Sequence, residues 1–250
     1  LTNAPGFNTI EQFSTPEGGV LLVDKPSSWT SFDVVNKIRR TLRVRKVGHA
    51  GTLDPMATGL LILCSGRSTK SIDRYQALVK MYEGTMRLGA VTASYDAETP
   101  AENEQPLGDI AAHDIRDAAQ RFTGDIEQLP PMYSAVKVKG QRLYKLARKG
   151  EEVERAPRRV HIARFDIEDV TLPDVRFTVV CSKGTYVRTL ANDLGQTLGC
   201  GAYLSSLRRT AIGTIHVADA WSIDELVTAA RKRDSEQVQQ ENSHARPSES

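Results

Sequence analysis

Apolar residues alternate at Val175, Phe177, Val179 and Cys181, and again at Tyr82, Gly84, Met86 and Leu88. Val160, Ile162, Phe165 and Ile167 do so more loosely. A period of two puts every second side chain on one face, the pattern of a half-buried strand. Two shorter apolar runs, Gly19–Asp24 and Leu60–Cys64, have the length of buried strands. Helical spacing appears elsewhere. Val34, Val35, Ile38 and Leu42 line one side of a helix over Thr30–Leu42, with Thr30 and Asp33 spaced as a capping box. Thr69–Leu78, Asp114–Phe122, Thr185–Leu198 and Ser222–Arg233 also read as helices, the last with Ser222 and Glu225 as its box. Lys137–Lys149 reads as a short strand and a helical turn. Strands and helices mix without regular βαβ alternation. The expected fold class is therefore α+β, with a mixed, largely antiparallel central sheet flanked by helices and loops.

In a chain of 250 residues this leaves an irregular lead-in at 1–18, a folded body at 19–233 and a polar tail at 234–250 expected to be disordered. Thr92–Leu107 is polar and acidic, holds two prolines, and reads as a surface loop carrying Asp96, Glu98, Glu102 and Glu104. With 40% hydrophobic and 26% charged residues the body can bury a core. No apolar run approaches the roughly 20 residues of a membrane span, and Leu1–Glu17 lacks the pattern of a signal peptide. Cys64, Cys181 and Cys200 are odd in number and far apart, which suits a reducing, cytoplasmic compartment. The five histidines are scattered, and no metalloprotease, dinucleotide or P-loop motif is present. No metal, no cofactor and no membrane partner are expected, and a monomer is. Lys and Arg number 33 against 31 Asp and Glu, so composition alone does not announce a nucleic-acid binder.

The densest stretch is Gly48-His-Ala-Gly-Thr-Leu-Asp-Pro-Met-Ala-Thr-Gly59, a loop between a basic helix and a buried strand. Its glycines permit backbone angles closed to other residues and let a ligand approach the main chain. Taken alone, Asp54 reads first as a turn or capping residue before proline, and His49 as structural. Lys37, Arg39, Arg40, Arg43, Arg45 and Lys46 precede the loop. Such a run can be a solvated helix face, but a basic stretch feeding a carboxylate loop also suits a phosphate-rich substrate.

Gly19-Val-Leu-Leu-Val-Asp-Lys-Pro26 and the Gly48–Gly59 loop together resemble the paired signature of the TruB family of pseudouridine synthases. Lys80-Met-Tyr-Glu-Gly84 with Leu88-Gly89, Pro131-Met-Tyr-Ser-Ala135, Ser182-Lys-Gly-Thr-Tyr-Val-Arg-Thr189 and Leu207-Arg-Arg209 follow in the family's order. The resemblance covers roughly Gly19 to Gly213. It implies the pseudouridine synthase fold and conversion of the uridine at position 55, in the TΨC arm of tRNA, without metal or organic cofactor. It also implies roles. Asp54 matches the catalytic aspartate that assists breakage of the glycosidic bond. Tyr82 matches the tyrosine that stacks on the target base and helps remove the C5 proton, and Arg188 the cation that aligns the aspartate. His49 matches a residue that holds flipped-out nucleotides, while Tyr186 packs the nucleotide pocket and Leu207 closes its wall.

A stacked uridine must be extruded before its glycosidic bond can be reached, at a cost of a few kcal/mol, and binding of phosphates would offset that cost. The stretch at about 131–155 resembles the family's thumb-like insertion. Lys137, Lys139, Arg142 and, further on, Arg208 are the residues expected on the RNA backbone of the T-arm stem-loop; Arg155, Arg158 and Arg159 form a further basic cluster. Family members from bacteria usually continue into a small C-terminal RNA-binding module; 234–250 is too short and polar for one, and none is expected. The competing readings are a non-catalytic RNA-binding or RNA-folding protein of the same fold, a guide-RNA-directed relative acting on rRNA, and a glycosylase that releases free base.

Overall fold

The structure is a computed structural model that describes residues 7–134, 137–138, 140–147, 149–151 and 153–244. The chain divides into two compact units, one made of residues up to Gln76 together with those from Thr214 onward, the other of Ala77–Gly213.

The first unit contains α1 (Ile10–Phe13), β1 (Val20–Lys25), α2 (Ser31–Thr41), β2 (Val47–His49), β3 (Thr58–Ser65) and, after a 3-10 turn at Gly66–Ser71, α3 (Ile72–Ala77). The second contains β4 (Lys80–Leu88), β5 (Val91–Thr92), β6 (Ala101–Glu102), α4 (Ala112–Gln120) and β7 (Gly124–Gln128). There follow β8 (Lys137–Val138), β9 (Gln141–Arg142), α5 (Leu143–Ala147), β10 (Arg158–Thr171), β11 (Asp174–Cys181), α6 (Val187–Thr197) and β12 (Ala202–Ile212). The chain then returns to the first unit with β13 (Ile215–His216) and α7 (Ile223–His244).

In the first unit β3 pairs antiparallel with β1 and with β2. The register sets Leu21 opposite Leu63 and Val23 opposite Leu61, so these four side chains share a face. They join the buried side of α2, where Val34, Val35 and Ile38 recur at helical spacing. α2 starts where the sequence says it should. Thr30 Oγ1 accepts from the Asp33 N–H at 3.0 Å and the Asp33 carboxylate accepts from the Thr30 N–H at 2.8 Å. These bonds hold the exposed Asp33 carboxyl below its usual range.

In the second unit five strands run antiparallel in the order β12-β4-β11-β10-β7. Phe165 and Phe177, on adjacent strands, meet edge to face with centroids 5.5 Å apart. Gly84 lies where a β-carbon would come within 2.7 Å of the Phe177 ring and 2.8 Å of the Ser206 carbonyl, so only glycine fits. The antiparallel α+β expectation holds in both units.

Three expectations need correction. The polar stretch from Asp234 to His244 is not irregular, because α7 continues through it; the rest of the expected tail, 245–250, lies outside the described residues. Its start is fixed by the Ser222/Glu225 box and by Leu226 and Ala230 in the core, and a helix once nucleated extends easily through Glu, Gln, Lys and Arg. β12 and β7 are strands that hydrophobic patterning does not announce. Register shifts between Leu204 and Ser206 and between Arg209 and Ala211 break the two-residue period of β12, and its burial of Arg209 disguises it further. Finally, α6 begins at Val187 rather than Thr185, capped by the extended Tyr186.

Candidate active site

In the first unit Asp54 is half-buried on a loop whose backbone is tied down on both sides. Ser31, just inside α2, holds the residue before it: Ser31 Oγ accepts from the Leu53 N–H at 2.9 Å and donates to the Leu53 carbonyl at 3.3 Å. Lys25, at the end of β1, holds the residue after it. Its fully buried ammonium donates to the Pro55 carbonyl at 3.1 Å, to that of Pro26 at 2.9 Å and to that of Trp29 at 2.5 Å. The Ser28 N–H adds a second bond to the Pro55 carbonyl at 2.9 Å. The Asp54 carbonyl itself closes a turn to the Ala57 N–H at 3.1 Å. Gly51, with φ +98, supplies a left-handed backbone angle that few other residues tolerate. His49 is the last residue of β2, opposite Leu63, rather than part of the irregular loop, because the strand pairing with β3 extends that far.

The second unit assembles another set. Tyr82 is buried on β4, opposite Arg209 on β12 and Val179 on β11. Leu207, also buried, stands opposite Gly84, and Arg208 is half-buried opposite the exposed Glu83. Lys80, two residues before Tyr82, is buried and donates to the Leu78 carbonyl at 2.5 Å. Burial, then the nearby Arg209 guanidinium, push the Lys80 ammonium down to about 8.

Arg188 stands in the first turn of α6, 4% exposed. Its Nη1 lies 3.3 Å from Asp96 Oδ2 and 3.3 Å from the Ser94 carbonyl. Asp96 is fully buried. Its other carboxylate oxygen accepts from Ser94 Oγ at 2.5 Å and from the Glu98 N–H at 3.1 Å. A solvent-facing Arg188 is therefore excluded, and Asp96 is no surface residue. Glu98, Glu102 and Glu104 are exposed as expected, but the loop's first part is docked on β12, with the Leu204 N–H bonded to the Tyr95 carbonyl and the Ala97 N–H to the Leu204 carbonyl, each at 3.0 Å. Thr92, Ser94 and Asp96 are buried at alternate positions. That two-residue period is present in the sequence, but in polar residues, where hydrophobic patterning does not register it.

Tyr186 is half-buried, and both its backbone groups bond the Gln128 amide, at 3.0 and 3.2 Å. The Arg188 guanidinium carbon lies 6.0 Å from the Tyr186 ring centroid. Of the residues expected on RNA, Lys137 and Arg142 are backbone register partners in the short hairpin β8–β9, and Lys139 lies outside the described residues. Arg155 is half-buried, with Nη1 3.1 Å from the Pro130 carbonyl. Among the described residues no three His, Cys, Asp or Glu side chains cluster to hold a metal ion, and no helix is long and apolar enough to cross a membrane.

Residues 39–187 match the model of the TruB family pseudouridylate synthase N-terminal domain, and residues 188–250 that of the tRNA pseudouridylate synthase B C-terminal domain. A tRNA pseudouridine synthase B from Opitutus terrae is 52% identical over 206 residues, 82% of this chain and 86% of that protein. One from Chlorobaculum tepidum is 51% identical over 84% of this chain and 90% of that protein. Among solved structures, one from a Cbf5-Nop10-Gar1 complex superposes with a TM-score of 0.69 at 29% identity. That match takes in 88% of this chain but only 56% of the other. A family model over more than half of the chain, with relatives about 50% identical over most of their length, makes this chain a member of the TruB family of pseudouridylate synthases.

Proposed function

We propose that this chain converts the uridine at position 55, in the T-arm of tRNA, to pseudouridine, with Asp54 as the catalytic carboxylate. The observation that carries the reading is the clamped loop around Asp54 in a chain so similar to tRNA pseudouridine synthases B. Breaking the N-glycosidic bond gives the ribose C1′ oxocarbenium character. A fixed anion beside that carbon either stabilises the charge or captures it as an ester. The freed uracil then rotates and reattaches through C5, and loss of the C5 proton restores the ring; Tyr82 is the base-stacking group assigned to this step. Water must be kept out, because its attack on C1′ would turn an isomerase into a glycosylase.

The substrate uridine reaches the carboxylate only when flipped out of its stack, a cost that phosphate binding by Lys137, Lys139, Arg142 and Arg208 would help offset. His49, Tyr186 and Leu207 are the residues assigned to the extruded nucleotide, and Arg188 is the cation assigned to aligning the aspartate. Three buried free thiols suit a reducing, cytoplasmic compartment, in which the protein would act as a monomer.

Incubation of the protein with an unmodified tRNA transcript, followed by chemical mapping of pseudouridine, tests the reading. The expected product is pseudouridine at position 55 with the RNA mass unchanged. Release of free uracil would identify a glycosylase instead, and binding without any product a non-catalytic RNA-binding protein.

A further inference from the structure

The solvent side of α2 has an unusual composition for a helix that only needs to be wetted. Phe32, Asn36 and Arg39 recur at i, i+4 and i+7, which places them on one stripe opposite the buried Val34 and Ile38. Phe32 is 64% exposed, the most exposed large apolar residue among those described. Arg39 and Arg40 are exposed in the last turn, and Arg43, Arg45 and Lys46 are exposed just beyond it. One or two cations there would satisfy the helix dipole; five exceed that need.

Arg43 adds an independent sign. It follows the C-cap Leu42 with φ +55, the left-handed position that ends many helices. The closing bonds run from the Val44 N–H to the Arg39 carbonyl at 3.0 Å and from the Arg43 N–H to the Arg40 carbonyl at 3.3 Å. Glycine is the residue that fits this position without steric cost, yet a long cation occupies it. Its ion pair to Asp234, at 3.6 Å, is solvent-exposed on the arginine side and weak enough to be exchanged for a phosphate.

We infer that the exposed face of α2 is an RNA-binding ridge, on which Phe32 stacks an unpaired base of the substrate and Arg39, Arg40 and Arg43 bind the phosphates that follow. The position fits. Ser31, the neighbour of Phe32, is the residue that clamps Leu53 beside Asp54, so the aromatic end of the ridge begins at the catalytic loop. From there the ridge extends about 16 Å, at about 1.5 Å of rise per residue, enough for a strand to be followed over a few phosphates. Exposed aromatics beside cations are the means by which proteins hold single-stranded or flipped bases without reading sequence. The inference rests on the RNA-modifying reading above, and it names a surface which that reading does not use.

Filter binding of an unmodified tRNA transcript over a range of salt concentrations tests it. Replacing Arg39, Arg40 and Arg43 together by Gln should lower the logarithmic salt slope by about 0.7–0.9 for each phosphate no longer neutralised. Phe32→Leu should weaken binding about tenfold, whereas Phe32→Tyr, which keeps the aromatic face, should bind like the parent. The single variant Arg39→Gln, with the slope lower by one such step, serves if the triple variant does not fold. An unchanged slope in the arginine variants, or equal affinities for Phe32→Leu and Phe32→Tyr, overturns the ridge. Pseudouridine formation by the unaltered protein is scored separately. Product formed with an unchanged slope refutes the ridge alone, and a reduced slope without any product refutes the catalytic reading alone.

Discussion

In the first unit the residues flanking Asp54 are held through backbone carbonyls and amides, by the neutral hydroxyl of Ser31 and the buried ammonium of Lys25. In the second unit Arg188 is held by a charge of opposite sign, the carboxylate of Asp96, in surroundings that leave Asp96 no exposure to solvent. The two arrangements do different things. Carbonyl clamps fix where a loop goes, and the Asp54 residue it carries stays half-exposed. A buried ion pair fixes a side chain and sets its charge, and removing either member leaves a buried charge that water cannot reach. Placement of the Asp54 loop thus rests on hydrogen bonds to its backbone, and placement of the Arg188 side chain on a carboxylate of opposite charge.

That contrast orders the expected effects of substitution. Asp96→Ala should be the most damaging, with a loss of about 3–5 kcal/mol by chemical denaturation, because Arg188 and Ser94 both lose a buried partner. A loss below about 1 kcal/mol would mean that Arg188 is held by other means. Lys25→Met keeps most of the unbranched side chain and strands the carbonyls of Pro26, Trp29 and Pro55, for about 2–4 kcal/mol. Hydrogen exchange should show the Ser28 amide, bonded to the Pro55 carbonyl, loosening first. Ser31→Ala removes the two bonds to Leu53 and should cost about 1–2 kcal/mol.

A further effect concerns pH. The Lys80 ammonium is pushed down to about 8 in the folded chain, against 10.5 unfolded. Between those values the unfolded chain binds a proton that the folded one does not, so this group makes stability rise with pH across the window. Cys181 acts oppositely. Burial raises its thiol from 9.0 to about 11, so stability falls above pH 9 as the unfolded thiol ionises. Subtracting Lys80→Met from the parent isolates the first trend. The parent should gain about 2 kcal/mol on the variant between about pH 7.5 and 9.5, and a flat difference would show that Lys80 is not penalised by burial.

The parts legible in the sequence are those with local causes. The start of α2 was readable because Thr30 and Asp33 cap it over three residues, and the start of α7 because Ser222 and Glu225 do the same. Asp54 stood out because glycines and a proline surround it. The clamps did not. Lys25 and Ser31 meet the loop only through tertiary folding, 30 and 22 residues away in sequence. Asp96 was hidden for a further reason: an acidic residue in a polar stretch has the same one-dimensional signature whether it faces water or a buried arginine 92 residues later. β12 was hidden because its bulges shift the apolar period that marks a strand.

The most direct test of the central claim is Asp54→Asn, measured by tritium release from tRNA labelled at C5 of uridine and by filter binding of the same RNA. The side chain keeps its shape, and the clamps on Leu53 and Pro55 do not involve it, so the fold and most of the RNA affinity should remain. An amide carries no negative charge and is a poor nucleophile, so release of tritium should fall to background. Turnover near that of the unaltered protein would contradict the account and leave Asp54 as no more than a turn residue before Pro55.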